Sequence, residues 1–181
     1  MAGIFEERIF DLAEVILDCV CLRLGQDRCP SRTCVYPGVE IAHDNCCSGE
    51  TQGQLTINLV RLFSSRSFPV ESIGVPNNCN DPLTVAEFNV EITRCAPGPD
   101  NQGNPPTCEQ QENTARQNMR DAVAVRDGVT CCLRADAMEA LLGPGVQWAF
   151  GDQRTVGPAG GCVGSALTVL IATMTCTVCP P

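Results

Sequence analysis

The sequence predicts an α+β fold, in which an antiparallel-rich sheet has two main helices packed on one face and is flanked by long Cys-rich loops. Three observations predict it. Apolar residues recur at helical spacing in two long segments, they alternate with polar residues in others, and many of the 14 cysteines lie in the segments between them. The length of 181 residues favours a single domain over 1–181, with long loops near 26–53, 64–82 and 96–107.

The first predicted helix spans residues 3–22. Its apolar positions follow one helical face, at Phe5, Ile9, Leu12, Ile16 and Cys19 or Val20. Acidic residues follow the opposite face, at Glu7, Asp11, Glu14 and Asp18. An unpaired acidic stripe of this kind is typical of a solvated surface rather than of acid–base catalysis or a calcium site.

Two to three strands are predicted next. A short strand from Cys34 to Ile41 contains a bend or edge feature at Pro37-Gly38. A second strand is predicted from Gln54 to Phe63. Residues 84–95 alternate most regularly, which indicates one buried and one polar face, as in an antiparallel sheet.

The composition of residues 96–107 predicts a mobile loop, and Thr107 with Gln110 forms a capping box that predicts the start of a long helix. This helix is expected to run to about Leu142, with a kink or break at Gly128. Its predicted apolar stripe is Ala115, Met119, Ala122, Val125, Val129, Leu133, Ala137 and Ala140.

The last third of the chain predicts two strands. A short strand holds Val146, Trp148 and Phe150, and an apolar strand from Ala166 to Cys176 is expected to be central to the sheet. A glycine-rich link joins them. It leads into a strand rather than a helix and no lysine follows it, so a tight turn or a backbone contact surface is favoured over a phosphate cradle. The candidate interface residues are Gly157, Gly160, Gly161 and Gly164.

The cysteines admit three explanations, which are zinc ligation, buried reduced thiols and disulfides. Only Cys176-x-x-Cys179 and Cys29-x4-Cys34 approach the paired spacing of a structural zinc site. Cysteines within apolar patterns are interpreted partly as core residues, at Cys19, Cys95, Cys132 and Cys162. Cysteines in polar loops are interpreted as disulfide candidates, at Cys29, Cys34, Cys46, Cys47, Cys79 and Cys108.

Several functions are disfavoured. All 12 basic residues are arginine, which removes lysine-based catalysis, and the net charge of −9 with scattered arginines argues against nucleic-acid recognition. His43 near Cys46 is the one candidate for nucleophilic catalysis, and a lone histidine in a polar loop is more often a surface residue. We therefore expect no enzymatic role and no cofactor. The acidic residues near the N-terminus and the lack of a long apolar window predict neither a signal peptide nor a membrane span.

The order of these elements resembles the tail terminator proteins of long-tailed phages, particularly phages of GC-rich actinobacteria. The resemblance covers nearly the whole chain. It rests on the acidic first helix, the two strands, the long second helix, the Val146–Phe150 segment, the Gly157–Gly161 segment and the final strand.

The resemblance implies a homohexameric ring that caps the tail tube and joins it to the head connector, in a protein assembled in the host cytoplasm and located at the head–tail junction of the virion. It also accounts for the thiols, because disulfides persist once a virion leaves the reducing cytoplasm. At least three disulfides are expected there, and Cys79 with Cys108 is one pair considered. The alternatives are another head–tail connector, such as a stopper or completion protein, a secreted disulfide-rich binding domain, and a cytoplasmic zinc protein.

Overall fold

A computed structural model describes residues 3–43, 46–48, 51–73, 83–135, 138, 141–143 and 146–174. Its elements are α1 (Gly3–Leu24), β1 (Arg32–Val35), β2 (Gln54–Ser65), β3 (Leu83–Cys95), α2 (Cys108–Leu133), β4 (Gln147–Ala159) and β5 (Cys162–Met174). The strands form one sheet in the order β1-β2-β3-β5-β4. Among the described strands, β1 and β2 alone pair in parallel, so the α+β class and the antiparallel-rich sheet are confirmed.

Both helices pack on one face of the sheet, with α1 over β1 and β2 and α2 over β3 and β5. The side chains of Ile16 and Val129 from the helices meet Phe88 and Val169 from the sheet in one apolar cluster. Alternation explains this arrangement, since every second residue of a strand points to the same face. We call this side of the sheet the helical face and the other side the second face.

The helices approach each other closely at Gly128. A Cβ atom at this position would lie 2.9 Å from the Cα atom of Val20, which is too close for any side chain. Gly128 therefore permits the packing of α2 on α1 and does not break the helix, which is continuous through it. Cys19 and Cys132 form a disulfide across the same contact.

Two boundaries and part of the predicted apolar stripe differ from the predictions. The α2 helix ends at Leu133, where Arg134 is the C-cap, and not near Leu142. The first strand covers Arg32–Val35 rather than Cys34–Ile41, because it ends before Pro37-Gly38 and pairs with the start of β2. Ala115 and Met119, both assigned to the apolar stripe, are exposed, Met119 to 70%. Ala137 and Ala140 of that stripe lie outside the described residues.

The final strand is internal, between β3 and β4, while β3 is central. The glycine-rich segment is not an extended link. The β4 strand ends at Ala159, β5 begins at Cys162, and Gly160 and Gly161 both have positive φ angles, of 57° and 78°. Positive φ at both positions of a two-residue loop defines a tight hairpin turn, as one of the two interpretations predicted.

Candidate functional site

A loop that contains Ala42, His43, Cys46 and Cys47 lies across one end of the second face. The backbone N–H of Ala42 donates to the Tyr36 hydroxyl over 3.3 Å, and the Gln54 side chain donates to the Ala42 carbonyl over 3.3 Å. The ring Nε2 of His43 lies 2.5 Å from Glu91 Oε1, and both side chains are largely buried. Local hydrogen bonds therefore hold the loop against β2 and β3.

Two disulfides fix the same loop, one from Cys46 to Cys162 and one from Cys47 to Cys95. Cys95 and Cys162 are directly paired across β3 and β5. Neighbouring strands lie about 4.8 Å apart and consecutive Cα atoms about 3.8 Å apart, so two adjacent cysteines suit two paired positions. The adjacent residues Cys46 and Cys47 thus join the loop to the end of the paired strands β3 and β5.

This pairing changes the interpretation of the cysteines. The candidates Cys29, Cys46 and Cys47 form disulfides, but their partners are Cys21, Cys162 and Cys95 rather than one another. The four cysteines interpreted partly as core residues, Cys19, Cys95, Cys132 and Cys162, are all in disulfides. The core interpretation is confirmed for Cys132, which is buried in the apolar cluster, and for Cys19, which packs against it.

Two of the remaining disulfide candidates, Cys34 and Cys108, carry free thiols, as does Cys131. The pair considered between Cys108 and Cys79 involves a residue that the structure does not describe. Cys79 itself, with Cys176 and Cys179, lies outside the described residues. Within the described ranges, no group of three or more potential ligands is placed to hold a metal ion.

One sequence signal for a missed pair was present. Cys95 continues the alternation of Glu87, Asn89, Glu91 and Thr93, which places its side chain on the second face rather than in the helical core. The structure confirms that placement, since Thr93 and Cys95 pair with Gly164 and Cys162 on β5. The alternation of residues along the strand therefore indicated the face of the sheet on which Cys95 lies, although it did not indicate the disulfide partner of Cys95.

The candidate nucleophile is not available in this state. The sulfur of Cys46 is bonded to Cys162, and the His43 ring contacts Glu91 rather than a thiol. The Cys162 sulfur also lies 3.3 Å from the His43 carbonyl oxygen. In the oxidised chain, His43 and Cys46 are structural contacts between the loop and the sheet.

Most of the glycine candidates permit close backbone contacts within the chain. A side chain at Gly160 would collide with the His43 carbonyl, one at Gly164 with the Ile92 carbonyl and one at Gly157 with the Cys162 carbonyl. Gly161 differs, because a Cβ atom there would meet nothing within 4 Å. A role in an interface between copies stays a prediction for all four.

The long strand β4 forms one edge of the sheet. Its 13 residues are mostly exposed or half-buried. Its inner side is attached to α2, because the Gln153 side chain donates to the Ala122 carbonyl over 2.8 Å and the Arg126 guanidinium lies 4.4 Å from the centre of the Phe150 ring. The edge is therefore held rigidly while its outer side has no neighbour among the described strands.

A cavity of about 600 Å³ opens where the end of α1 meets α2. Three arginines line it, Arg23, Arg28 and Arg120. The Arg23 guanidinium donates to Asp127 over 2.9 Å, and this hydrogen bond raises the pKa of Arg23. Asp127 also lines the cavity, and Ala124 with the exposed side chains of Met119 and Val123 completes the lining. We call this feature the basic groove.

No known protein family matches the chain, and no curated protein matches it. Among the residues that the structure describes, neither helix is long and apolar enough to cross a membrane.

Proposed function

We propose that the chain is a structural virion protein, a tail terminator that forms a ring, caps the tail tube and joins it to the head connector. Its partners are then further copies of itself, the tail tube protein and the head connector proteins, with no recognition of nucleic-acid sequence and no catalytic step. The observation that carries the proposal is the exposed, rigidly supported edge of β4.

An open edge supports self-assembly because its unpaired backbone groups can pair with another chain. The opposite edge of the sheet, β1, has only four residues, so the two edges are unlike. A contact that uses two unlike surfaces is heterologous, and it builds a ring where its rotation closes around an axis. The irregular register of β4 near Phe150 and Val156 limits uncontrolled pairing along the whole edge.

The disulfides support a protein that works outside a reducing compartment. Four bridges connect the described residues, and two of them link positions more than 100 residues apart. A virion component made in the host cytoplasm and oxidised after release meets this requirement.

The direct experiment is to image purified virions and locate this chain by labelling, and to measure the mass of the oxidised protein by mass photometry. We expect a ring, hexameric by resemblance, at the junction of head and tail. A strict monomer both in solution and in the particle would overturn the proposal.

A matched pair of variants tests the edge itself. Thr155→Lys places a charge on the exposed edge of β4, and Gln102→Lys places the same charge in an exposed loop. Lysine on an edge strand opposes pairing with another chain. We expect Thr155→Lys to weaken the ring and Gln102→Lys to leave it unchanged; equal behaviour would remove β4 from the interface.

The number of disulfides favours a second candidate, a secreted disulfide-rich binding domain, and a different head–tail connector is a third. Virion imaging separates them. Absence of the chain from particles supports the secreted domain, and a position inside the head portal supports a stopper or completion protein.

A further inference from the structure

The outer face of α1 and the basic groove carry opposite charges on two surfaces that share no residue. We call the first surface the acidic stripe. It is formed by the exposed carboxylates Asp11, Glu14 and Asp18, interspersed with the apolar side chains of Phe10, Val15 and Leu22.

The stripe exposes more apolar surface than a solvated helix requires. Leu22 is 86% exposed and Phe10 is 51% exposed. None of the three carboxylates has a hydrogen bond or ion pair with any other described residue. The stripe is therefore acidic, without a neutralising partner among the described residues, and partly apolar.

The basic groove has the matching composition. The side chains of Arg28 and Arg120 make no hydrogen bond or ion pair within the described ranges, so only Arg23 of its three arginines is neutralised. Met119 and Val123, both more than half exposed, supply the apolar component. Unpaired guanidinium groups beside exposed apolar side chains suit an acidic, partly apolar helix.

We propose that the acidic stripe of one copy docks in the basic groove of the next copy, and that this contact forms part of the ring interface. The inference rests on the proposed function and adds the residues and the direction of the self-contact. Because stripe and groove are different surfaces, each contact leaves one stripe and one groove open, which lets the contact repeat around the ring.

Local complementarity is needed because the chain as a whole is acidic. At a net charge of −9, two copies repel at long range, and a face with unpaired arginines lowers that repulsion locally. Complementary charges select the correct face and speed its encounter, while the apolar side chains on both surfaces supply burial.

The test reverses the charges of each surface and then of both. The groove variant is Arg28→Glu with Arg120→Glu, and the stripe variant is Glu14→Arg with Asp18→Arg. The combined variant keeps the wild-type net charge of −9. We expect each surface variant to weaken association at least about tenfold, because like charges then face each other, and the combined variant to restore most of it.

A matched control separates local from general charge effects. Arg134 is exposed and lies 14 residues beyond Arg120, at the end of the same helix. We expect Arg120→Glu to weaken association and Arg134→Glu to have little effect. Equal loss in both, with all variants folded by circular dichroism, would reject the groove as the contact.

Three further outcomes would reject the proposed contact, alone or together with the ring. A wild-type ring that survives both surface reversals rejects this inference and leaves the ring proposal standing. Loss of the ring in both variants without rescue in the combined variant also rejects the contact. A monomeric wild-type protein rejects the ring proposal and the inference together.

Salt provides a test that needs no variant. Raising the ionic strength from about 0.05 M to about 1 M shortens the screening length to about 3 Å. We expect high salt to raise the protein concentration at which half of the wild-type rings dissociate, by at least about tenfold. A dissociation that does not depend on salt would contradict the inference.

Discussion

The two faces of the sheet are closed by different means. On the helical face, Ile57, Phe88 and Leu167 are almost fully buried under apolar side chains of α1 and α2. On the second face, polar residues are buried near the loop, including Thr56, Asn58 and Asn89 on β2 and β3. A smaller apolar cluster of Phe63, Leu83, Val85 and Ala172 lies at the other end of that face. A loop and two disulfides cover one end of that face.

The difference shows what covalent links contribute to this fold. Burial of apolar area stabilises the helical face at about 25 cal/mol per Å². On the second face, Gln54 Oε1, Thr56 Oγ1 and Asn58 Nδ2 are buried without a hydrogen-bond partner within the part of the chain described here. Such burial is costly, so we infer that cross-links and a few polar contacts secure the loop end of this face, while the small apolar cluster packs at its other end.

The largest expected effect comes from opening the helical face. Phe88→Ala removes a large side chain that is 1% exposed, and we expect it to lower the free energy of unfolding by about 3–5 kcal/mol in denaturant titrations. Leu62→Ala, at a side chain nearly half exposed on β2, is the control and should cost less than about 1 kcal/mol. Similar losses would mean that the helical core does not dominate stability.

The second prediction removes a link from the second face. Replacing Cys46 and Cys162 together by alanine should cost about 2–4 kcal/mol, because this bridge closes a loop with a sequence separation of 116. The same change at Cys21 and Cys29, separated by 8 residues, should cost less, since the entropy of loop closure grows with loop length.

Peptide mapping without reductant checks the disulfide pairing on which the comparison of the two cysteine variants depends. Recovery of all 14 cysteines as free thiols would contradict the cross-linked second face and would revive the zinc and buried-thiol explanations.

A smaller effect is expected from the polar contact beneath the loop. His43→Ala leaves the buried Glu91 without its 2.5 Å partner, and we expect a loss of about 1–3 kcal/mol in unfolding free energy with assembly unchanged. His43→Gln, which keeps a donor, should lose less. Equal loss in both variants would show that packing of the ring, and not the hydrogen bond, matters at this position.

The smallest effect concerns a loop that lacks both apolar burial and a disulfide. In residues 96–107, Asp100 accepts hydrogen bonds from the Asn104 side chain and from the backbone N–H groups of Asn104 and Gln102. These bonds, the side-chain bond first, lower the pKa of Asp100. The stabilisation they give is present above the unfolded-state pKa, near 3.9, and is lost as the pH falls through the lowered folded-state value.

Asn104→Ala should therefore raise the pKa of Asp100 toward its ordinary value, as followed by an NMR titration of its carboxyl carbon. Asn101→Ala changes a neighbouring exposed residue and should leave that pKa unchanged. An unchanged pKa in Asn104→Ala would show that the backbone donors alone hold the carboxylate.

Local pattern was sufficient for the elements and the helical face. The periodicity of residues 3–22, the alternation of 84–95 and the capping box at Thr107 each predict structure from neighbours a few residues apart, and all three are confirmed. The capping box is complete in both directions, between Thr107 and Gln110. The end of α2 was not predictable in this way, because apolar spacing continues beyond Leu133.

Only the tertiary structure decided which cysteines meet. Pairing depends on the distance between Cα atoms, and residues such as Cys46 and Cys162 become neighbours only after the hairpin and the central ladder form. The same holds for the opposed charges of the acidic stripe and the basic groove, since Arg28 and Arg120 are brought to one cavity by the packing of α1 on α2. The sequence by itself determined the α+β elements and most of their apolar faces through short-range periodicity, with Met119 an exception. The cross-links and the charged surfaces required contacts between distant residues, which periodicity does not record.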